Sequence, residues 1–504
     1  MMYNSTRDSS VRVTASQAIA QGISKEGGLF VPDAIPSLTA DEIKMLTGIR
    51  YSSRAAYILS KYLKDFTCEE IEECTRLAYD TGRFRSFAVA PLHELYSGVN
   101  LLELWHGPTC AFKDMALQIL PHLMRFSARR TADGKTIIIL VATSGDTGKA
   151  ALEGFRDAEN TRILVFYPEE GVSPMQKLQM ITQEGNNVAV CGIRGNFDDA
   201  QTGVKAIFTH PGIAKRLESN GMMFSSANSI NWGRLLPQIV YYISAYCDMI
   251  SSDKINAGEP VNVVVPTGNF GNILAAFYAR EMGLPIARLI CASNRNRVLT
   301  DFINTGVYDK NRSFHTTTSP SMDILISSNL ERLLYALSGR SDTEIRLLMN
   351  DLKTKGSYTV SDETAARIKE LFRAGWCGDQ QTADTIKNVF QKYGYLCDTH
   401  TAVAINVYEQ YRDISRDDTP TIIVSTANPY KFSASVLDAL GGNHADHSNG
   451  DEFEKMDKLQ RLTGAVIPEP LVSIKGKDSR FMDICNPADM EQAVFEMLHI
   501  GRDR

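Results

Sequence analysis

Two stretches of the sequence share one pattern, in which a run of β-branched residues leads into a glycine-containing turn and then into a helical stretch. In 135–157, KTIIILV precedes ATSGDTG and KAALEGFRD, and in 261–283, VNVVVP precedes TGNFGN and ILAAFYAREMG. Four further apolar runs with strand character alternate with helical patterns, at 161–168, 187–193, 287–293 and 421–427. Strands that alternate with helices in this way predict parallel sheets with right-handed crossovers. We therefore expect an α/β fold with two open, twisted, mainly parallel units.

The remainder of the chain predicts a third, mostly helical part at the N-terminus. Within 1–94, apolar residues recur at three- and four-residue spacing, the pattern of amphipathic helices. We predict an N-terminal domain over 1–94 and a small α/β domain over 126–219, which carries the SGDTG turn. The large α/β domain is expected to comprise 95–125 and 220–504, with a helical insertion near 330–395. Ligands of open sheets bind beyond the carboxyl ends of the strands, so we expect a ligand cleft between the two α/β units.

Composition excludes several functional classes. The 504 residues carry a formal net charge of −6, which disfavours a nucleic-acid partner. Every apolar run falls far short of the roughly 20 residues that a membrane span requires, and the first residues lack the apolar core of a signal peptide. The nine cysteines match no metal-ligand spacing. We expect a cytoplasmic monomer or homodimer without a metal site, without a nucleic-acid partner and without a membrane partner.

Both glycine-containing turns have the features of anion sites, because backbone N–H groups and the helix dipole favour negative charge before a helix. Each turn alone is more often a plain strand-to-helix connection or an N-cap. Asp146 argues against a nucleoside triphosphate at the first turn, and neither turn spells a Walker or dinucleotide pattern. The residues predicted to bind are Ser144, Gly145, Asp146 and Thr147 in the first turn, and Gly268, Asn269, Phe270, Gly271 and Asn272 in the second.

Lys113 is the candidate catalytic residue. It lies in HGPTCAFKD (106–114) among small and apolar residues. Desolvation there would lower the pKa of its amine, which Schiff-base chemistry requires. Phe112 is expected to pack near a cofactor ring. A lone lysine is usually a solvated surface charge, so this interpretation depends on the two turns.

Four motifs in order, HGPTCAFKD, ATSGDTG, PTGNFGN and STANPYKF, resemble the threonine synthase family, whose members are fold type II pyridoxal-phosphate enzymes. YNSTRD, GGLFVPDAIP, NSINWGR, SPSMDILISSNLER and GYLCDTHTAVA extend the resemblance over nearly the whole chain. The resemblance implies pyridoxal 5'-phosphate as cofactor. It also implies conversion of O-phospho-L-homoserine and water to L-threonine and phosphate, the last step of threonine biosynthesis.

The resemblance also implies roles for individual residues. Lys113 matches the lysine that bonds to the cofactor aldehyde and later moves protons, and Thr426 matches the residue that faces the pyridine nitrogen. The turn 268–272 matches the loop that grips the cofactor phosphate. The turn 144–147 matches a loop associated with anionic groups of the substrate. The motif NSINWGR adds four expected substrate contacts, at Asn228, Ser229, Asn231 and Arg234.

One departure from the family pattern concerns the late motif. Where many relatives have TAHPAKF, residues 426–432 are TANPYKF, so that Asn428 replaces an imidazole and Tyr430 replaces a small residue. An amide excludes a proton-transfer role at position 428. The departure bears on substrate detail and leaves the cofactor prediction unchanged. We assign no catalytic role to His106 or His400.

Three alternatives to threonine synthase stay open. A phospho-lyase of the same family would eliminate phosphate without forming threonine. A serine or threonine dehydratase, or a sulfhydrylase, would share the lysine and the turns but would need no site for a substrate phosphate. A non-catalytic nucleotide-binding α/β protein would contain Lys113 only by coincidence.

Overall fold

The computed structural model of the chain describes residues 1–441 and 451–501. The strands are β1 Tyr3–Ser5, β2 Arg12–Val13, β3 Phe30–Pro32, β4 Leu92–Tyr96, β5 Val99–Glu103, β6 Thr136–Ala142, β7 Thr161–Pro168, β8 Val188–Ile193, β9 Met222–Ser225, β10 Val261–Pro266, β11 Ile286–Ser293, β12 Val307–Asp309, β13 Ser357–Thr359, β14 Phe372–Trp376, β15 Thr421–Ser425 and β16 Ile484–Cys485. The α-helices are α1 Ala15–Gln21, α2 Ala40–Thr47, α3 Tyr51–Tyr62, α4 Cys68–Tyr79, α5 Asp114–Leu117, α6 Leu120–Thr131, α7 Asp146–Phe155, α8 Pro174–Ile181, α9 Phe197–Thr209, α10 Pro211–Ser219, α11 Trp232–Ser251, α12 Gly271–Glu281, α13 Val298–Thr305, α14 Leu330–Leu337, α15 Asp342–Thr354, α16 Asp362–Leu371, α17 Asp379–Tyr393, α18 Thr399–Ser415, α19 Ser433–Ala439, α20 Glu452–Thr463, α21 Glu469–Val472 and α22 Met490–Met497.

The large sheet has six strands in the order β14-β11-β10-β15-β5-β4. All neighbouring strands are parallel except β4 and β5, which form an antiparallel pair at one edge. Every residue of β10 and of β15 is buried, as expected of central strands covered on both faces. The parallel strands direct their carboxyl ends, and therefore the turns that follow β10 and β15, to one edge of the sheet.

The small sheet is entirely parallel, in the order β16-β8-β7-β6-β9. Its three central strands, β6, β7 and β8, confirm the strands predicted at 135–141, 161–168 and 187–193. Two short strands from outside 126–219 complete it, because β9 pairs with β6 and β16 pairs with β8. The two mainly parallel units confirm the predicted fold class.

The N-terminal region combines α1 to α4 with a small antiparallel sheet in the order β2-β1-β3. Three of its helices begin with capping boxes, formed by Thr14, Thr39 and Thr67 with the side chain three residues later. The predicted helical character is confirmed, and the short strands are an addition that the periodicity did not indicate. The predicted boundary at residue 94 falls inside β4, which belongs to the large sheet.

The longest helix, α11, lies at the centre of the molecule and begins at the ligand cleft. It packs against α12, α2, α3 and α5 and is buried over most of its length. A helix that is apolar all round suits such an interior position. No helix in the described ranges is long and apolar enough to cross a membrane. The segment 330–395 contains α14 to α17, and it also contributes β14 to the large sheet.

Candidate active site

One cleft lies where the carboxyl end of β6, the carboxyl ends of β10 and β15, and the first turn of α11 meet. Its walls come from seven segments of the chain. The lining residues are Phe112, Lys113, Asp146, Thr147, Ser229, Arg234, Gln238, Pro266, Thr267, Gly268, Asn269, Phe270, Gly271, Asn272, Ser321, Met322, His400, Thr426 and Ala427. Twelve of the predicted site residues are therefore together in a single cavity.

Lys113 is positioned by a short antiparallel contact with the chain that follows β15. Ala111 forms a β-bridge with Ala427, and the N–H of Phe112 donates to the carbonyl of Thr426 at 2.8 Å. Lys113 follows immediately, at the start of α5, and its side chain is 11% exposed. Lys113 and Thr426 thereby line the same cleft.

The surroundings of the Lys113 amine favour its neutral form. Burial is the main cause that lowers its pKa below the usual value, and the positive charges of Arg234 and Lys431 lower it further. Asp146 opposes them, with its Oδ2 at 3.5 Å from the Lys113 Nζ. A lysine with a lowered pKa is a better nucleophile and proton acceptor at neutral pH.

The turn between β10 and α12 has a strained conformation that is held by packing. Phe270, the N-cap of α12, has φ 64°, in the left-handed region that a bulky residue rarely adopts. Its ring is buried and packs against Phe372, with the ring centres 5.9 Å apart. The turn places the first N–H groups of α12, at Gly271 and Asn272, beside the cleft, where they favour an anion.

Asn272 tests whether this turn fits a phosphate. Its Oδ1 accepts hydrogen bonds from the hydroxyl groups of Tyr241 and Tyr242, which fixes the orientation of the amide. Its buried Nδ2 has no hydrogen-bond partner among the described residues, although it lies at the cleft. A buried donor without a partner is costly, and a phosphate oxygen would satisfy it. The residues present therefore fit the phosphate of pyridoxal phosphate.

Gly268 is required for the close approach of a second loop. A Cβ atom at this position would lie 2.6 Å from the carbonyl oxygen of Ser321. We expect Gly268→Ala to lower the free energy of unfolding by about 1–3 kcal/mol, because backbone must move to accept the methyl group. Urea unfolding of the apoprotein measures the change. Gly48→Ala is the matched control, because its nearest neighbour would be 4.0 Å away, and an equal loss in both variants would contradict the steric argument.

The turn between β6 and α7 brings a carboxylate into the cleft. Burial would raise the pKa of Asp146, but Lys431 and Lys113 together hold it well below its usual value. The carboxylate also accepts from the Nε2 of Gln176 at 2.8 Å. Of the predicted turn residues, Asp146 and Thr147 line the cleft, whereas Ser144 and Gly145 do not. Their predicted contact with substrate stays a prediction.

In the NSINWGR motif, too, some of the predicted residues line the cleft and others do not. Ser229 and Arg234 line the cleft, and the buried Nε of Arg234 has no partner among the described residues, so this guanidinium is available to an anion. Asn228 lies outside the lining. The predicted substrate contact of Asn231 stays a prediction, because its side chain has a structural role in this fold. Asn231 is the N-cap of α11, and its Nδ2 is already bonded to the carbonyls of Ile19 and Ser226.

Five polar residues at or beside the cleft were not predicted from the sequence, and the first is Thr267, which directly follows β10. Gln238 lies four residues, or about one helical turn, after Arg234 in α11, so its place on the same helix face could have been predicted from the sequence. Ser321 and His400 lie in motifs that carried the family resemblance without an assigned role. The Nε2 of His400 accepts the Ser321 N–H at 3.2 Å, and its Nδ1 lies 2.7 Å from Asp398. Both ring nitrogens of His400 are thus engaged within the protein. The fifth residue, Lys431, contacts Asp146 from behind the cleft lining.

The departures at 428 and 430 face away from the cleft. Asn428 is the N-cap of a 3₁₀ helix, Pro429–Phe432, and its Oδ1 accepts the N–H of Tyr430. The Tyr430 hydroxyl donates to the carbonyl of Ala465 at 2.6 Å. Neither residue lines the cavity. In this chain the two positions support the turn that carries Lys431.

Three family descriptions match successive parts of the chain. Residues 2–79 match the threonine synthase N terminus, residues 90–426 match the pyridoxal-phosphate dependent enzymes, and residues 401–494 match the C-terminal part of threonine synthase. The second match covers more than half of the chain and contains every residue of the cleft lining except Ala427. It gives pyridoxal phosphate as the cofactor.

Similar proteins and structures agree with these matches. The human protein named threonine synthase-like 1 is 41% identical over 435 residues, 84% of this chain, and the chain spans only 58% of that relative's length. The threonine synthase of Pseudomonas aeruginosa is 38% identical over 480 residues, 94% of this chain and 97% of the relative. The crystal structure of PLP-bound threonine synthase from Brucella melitensis superposes with a TM-score of 0.86 at 36% identity, over 100% of both chains. The chain therefore belongs to the threonine synthase family of pyridoxal-phosphate-dependent, fold type II enzymes.

Proposed function

We propose that this protein is a threonine synthase, which converts O-phospho-L-homoserine and water to L-threonine and phosphate. The observation that carries the proposal is the buried Lys113 amine in a cleft that also contains the unpaired donors Asn272 Nδ2 and Arg234 Nε. The near full-length similarity to a bacterial threonine synthase favours this reaction among those of the fold. A cytoplasmic monomer or homodimer remains part of the proposal.

The binding roles follow from the chemistry of each wall. The turn 268–272, with the Asn272 amide, would hold the cofactor phosphate, and Phe112 and Thr426 would contact its ring. Thr147 and the first N–H groups of α7 would donate hydrogen bonds to an anionic group of the substrate, since the N-terminus of a helix favours negative charge. Arg234 and Ser229 would bind a further anionic oxygen in the same cleft.

The catalytic role falls to the Lys113 amine. When bound, the cofactor accepts the electron pair released at the substrate Cα. Lys113 would remove the Cα proton and later return protons, as a base and then as an acid. Over the whole reaction Cβ loses a proton, the bond between Cγ and the phosphate oxygen breaks, and Cγ gains a proton. The hydroxyl group of water joins Cβ, and the remaining proton of water goes to the released phosphate. The donors of the cleft would stabilise the charge on the departing phosphate.

A second candidate is the family's phospho-lyase reaction, in which phosphate leaves and 2-oxobutyrate and ammonium form. The observation in its favour is the 41% identity to a protein named threonine synthase-like 1, which exceeds the identity to the bacterial threonine synthase. The residues that line the cleft serve both reactions, because the two share the steps up to the loss of phosphate.

Product analysis tests the proposal. Holoenzyme incubated with O-phospho-L-homoserine should release phosphate and L-threonine in equal amounts, as measured by a phosphate assay and by mass spectrometry. The control is ammonia release from L-threonine, which should stay at background. If 2-oxobutyrate is the main product, the threonine synthase assignment is wrong and the phospho-lyase is correct. Ammonia release from threonine without phosphohomoserine turnover would indicate a dehydratase.

A further inference from the structure

A second lysine of the site is more deeply buried than Lys113. Lys431 lies in the 3₁₀ helix after β15 and is 0% exposed. Its Nζ is 2.7 Å from the Oδ1 of Asp146 and donates to the carbonyl of Thr109 at 3.0 Å. It thereby joins the three segments that carry Thr426, Asp146 and Lys113, because Thr109 belongs to the loop that leads to Lys113.

The two oxygens of Asp146 are divided between the two lysines. Oδ1 takes Lys431 and the Gln176 amide, whereas Oδ2 faces the Nζ of Lys113 at 3.5 Å and the hydroxyl of Ser321 at 3.3 Å. The closer and better-bonded partner of the carboxylate is therefore Lys431. A buried carboxylate that is already neutralised by one ammonium attracts a second ammonium less strongly.

We propose that Lys431 is a positioning residue for Lys113. It holds the Asp146 carboxylate and the Thr109 carbonyl in place, and by pairing with Asp146 it prevents that carboxylate from fixing the Lys113 amine as an ammonium ion. The inference deepens the proposed function, since it concerns the amine to which that function gives the catalytic role. Lys431 thereby has a role although it takes no direct part in the reaction.

The charges around Lys113 determine the direction in which its pKa should change when Lys431 is replaced. Asp146 of α7 lies within reach of the amine, whereas Arg234 of α11 and Lys431 of the 3₁₀ helix contribute positive charge. His400 of α18 lines the same cleft, and the buried Asp114 next to Lys113 is bonded to the N–H and hydroxyl of Thr109. Without Lys431, the Asp146 carboxylate would interact more strongly with the Lys113 ammonium ion, and the pKa of the Lys113 amine would rise. Loss of the Asp146 charge would lower that pKa.

The test measures the reactivity of Lys113 in the full-length apoprotein. Trace labelling with acetic anhydride across pH, followed by mass spectrometry of the peptide that contains Lys113, reports the fraction of neutral amine. At a fixed pH near 8, K431M should slow labelling by about tenfold, which corresponds to a pKa rise of about one unit. D146N should speed it, and the double variant K431M/D146N should fall between the two single variants.

Two further variants separate this role from a merely structural one. K431R keeps the charge and should restore wild-type labelling of Lys113. Lys149→Met removes another buried lysine, paired with Glu153 at 3.2 Å and outside the cleft lining, and should leave the labelling unchanged. Unchanged labelling in K431M, or a change in the direction of D146N, would overturn the inference. If K431M does not fold, K431Q removes the same charge with a polar side chain, and unchanged labelling of Lys113 in folded K431Q would reject the inference.

This readout is independent of the proposed function, because it requires neither cofactor nor substrate. In the holoenzyme, the pH midpoint of the cofactor's visible absorption should move upward in K431M. Failure to find a borohydride-reduced adduct on Lys113 of the wild-type protein would reject the catalytic role of Lys113 and leave the labelling comparison valid.

Discussion

Replacing Lys113 with alanine is expected to lower kcat/KM by at least about 10³-fold, because the change removes both the covalent attachment point and the group that moves protons. The fold should survive, since Asp146 keeps its closer partner, Lys431, and no buried carboxylate loses its last cation. Reduction with borohydride followed by peptide mapping should recover an adduct on Lys113 in the wild-type protein and none at this position in the variant. Near-ultraviolet circular dichroism checks the fold.

The surface variant Lys135→Ala serves as the control for this experiment. Lys135 pairs with Glu218 far from the cleft lining, and its replacement should leave the rate and the adduct unchanged. An adduct that maps to Lys431 in the wild-type protein would contradict our assignment of the two lysines. Wild-type activity in the Lys113→Ala protein would contradict the catalytic role itself.

Changing Asn272 to aspartate should weaken cofactor binding by about 100-fold or more. The substitution is nearly isosteric and keeps the Oδ1 that accepts from Tyr241 and Tyr242, but it replaces the unpaired amide donor with a negatively charged oxygen. Two unit charges of like sign about 4 Å apart cost roughly 4 kcal/mol at an effective dielectric constant near 20. Equilibrium dialysis of the cofactor, or recovery of its visible absorption on titration of the apoprotein, gives the affinity.

Tyr242→Phe separates the donor at Asn272 from the packing around it. This change removes the hydroxyl that donates to Oδ1 at 2.6 Å and leaves Nδ2 in place, so we expect less than about a tenfold loss of cofactor affinity. An equal or larger loss than in Asn272→Asp would indicate that the tyrosine pair, and not the Nδ2 donor, determines phosphate binding.

The architecture could be predicted from the sequence because its central strands are continuous apolar runs. The runs at 161–168 and 261–266 coincide with β7 and β10. The parallel order of the sheets follows from the helices between these runs. The short strands could not be predicted in this way. β9 and β16 have four and two residues, too few for a recognisable period, and they form only because a longer strand presents an open edge.

The parts of the candidate site that lie within a single turn could be predicted from the sequence. Lys113, Asp146 and the turn 268–272 lie directly at strand or helix ends, where the sequence pattern indicates a ligand. The partners of these residues come from distant segments, and their proximity is a tertiary property. Lys431 is separated from Asp146 by most of the chain, and the sequence alone gave no reason to join them.

At Asn231 the structure shows a local role that the family resemblance did not indicate. The family resemblance implies a substrate contact there, because the residue lies in a motif near the cleft. Its position immediately before a long helix is equally the pattern of an N-cap. The structure shows the cap, with every side-chain donor and acceptor engaged by neighbouring backbone.

The pairing of β16 with β8 has a consequence for how the protein is made. β8 is translated long before residues 484–485, so its backbone N–H and C=O groups remain without a neighbour on one side while the ribosome continues. An uncovered strand of this kind promotes pairing with other nascent chains. The tail, held by the packing of α22 on α9, pairs with Gly192 and Ile193 at the carboxyl end of β8, and this part of the edge is therefore covered only late in biogenesis.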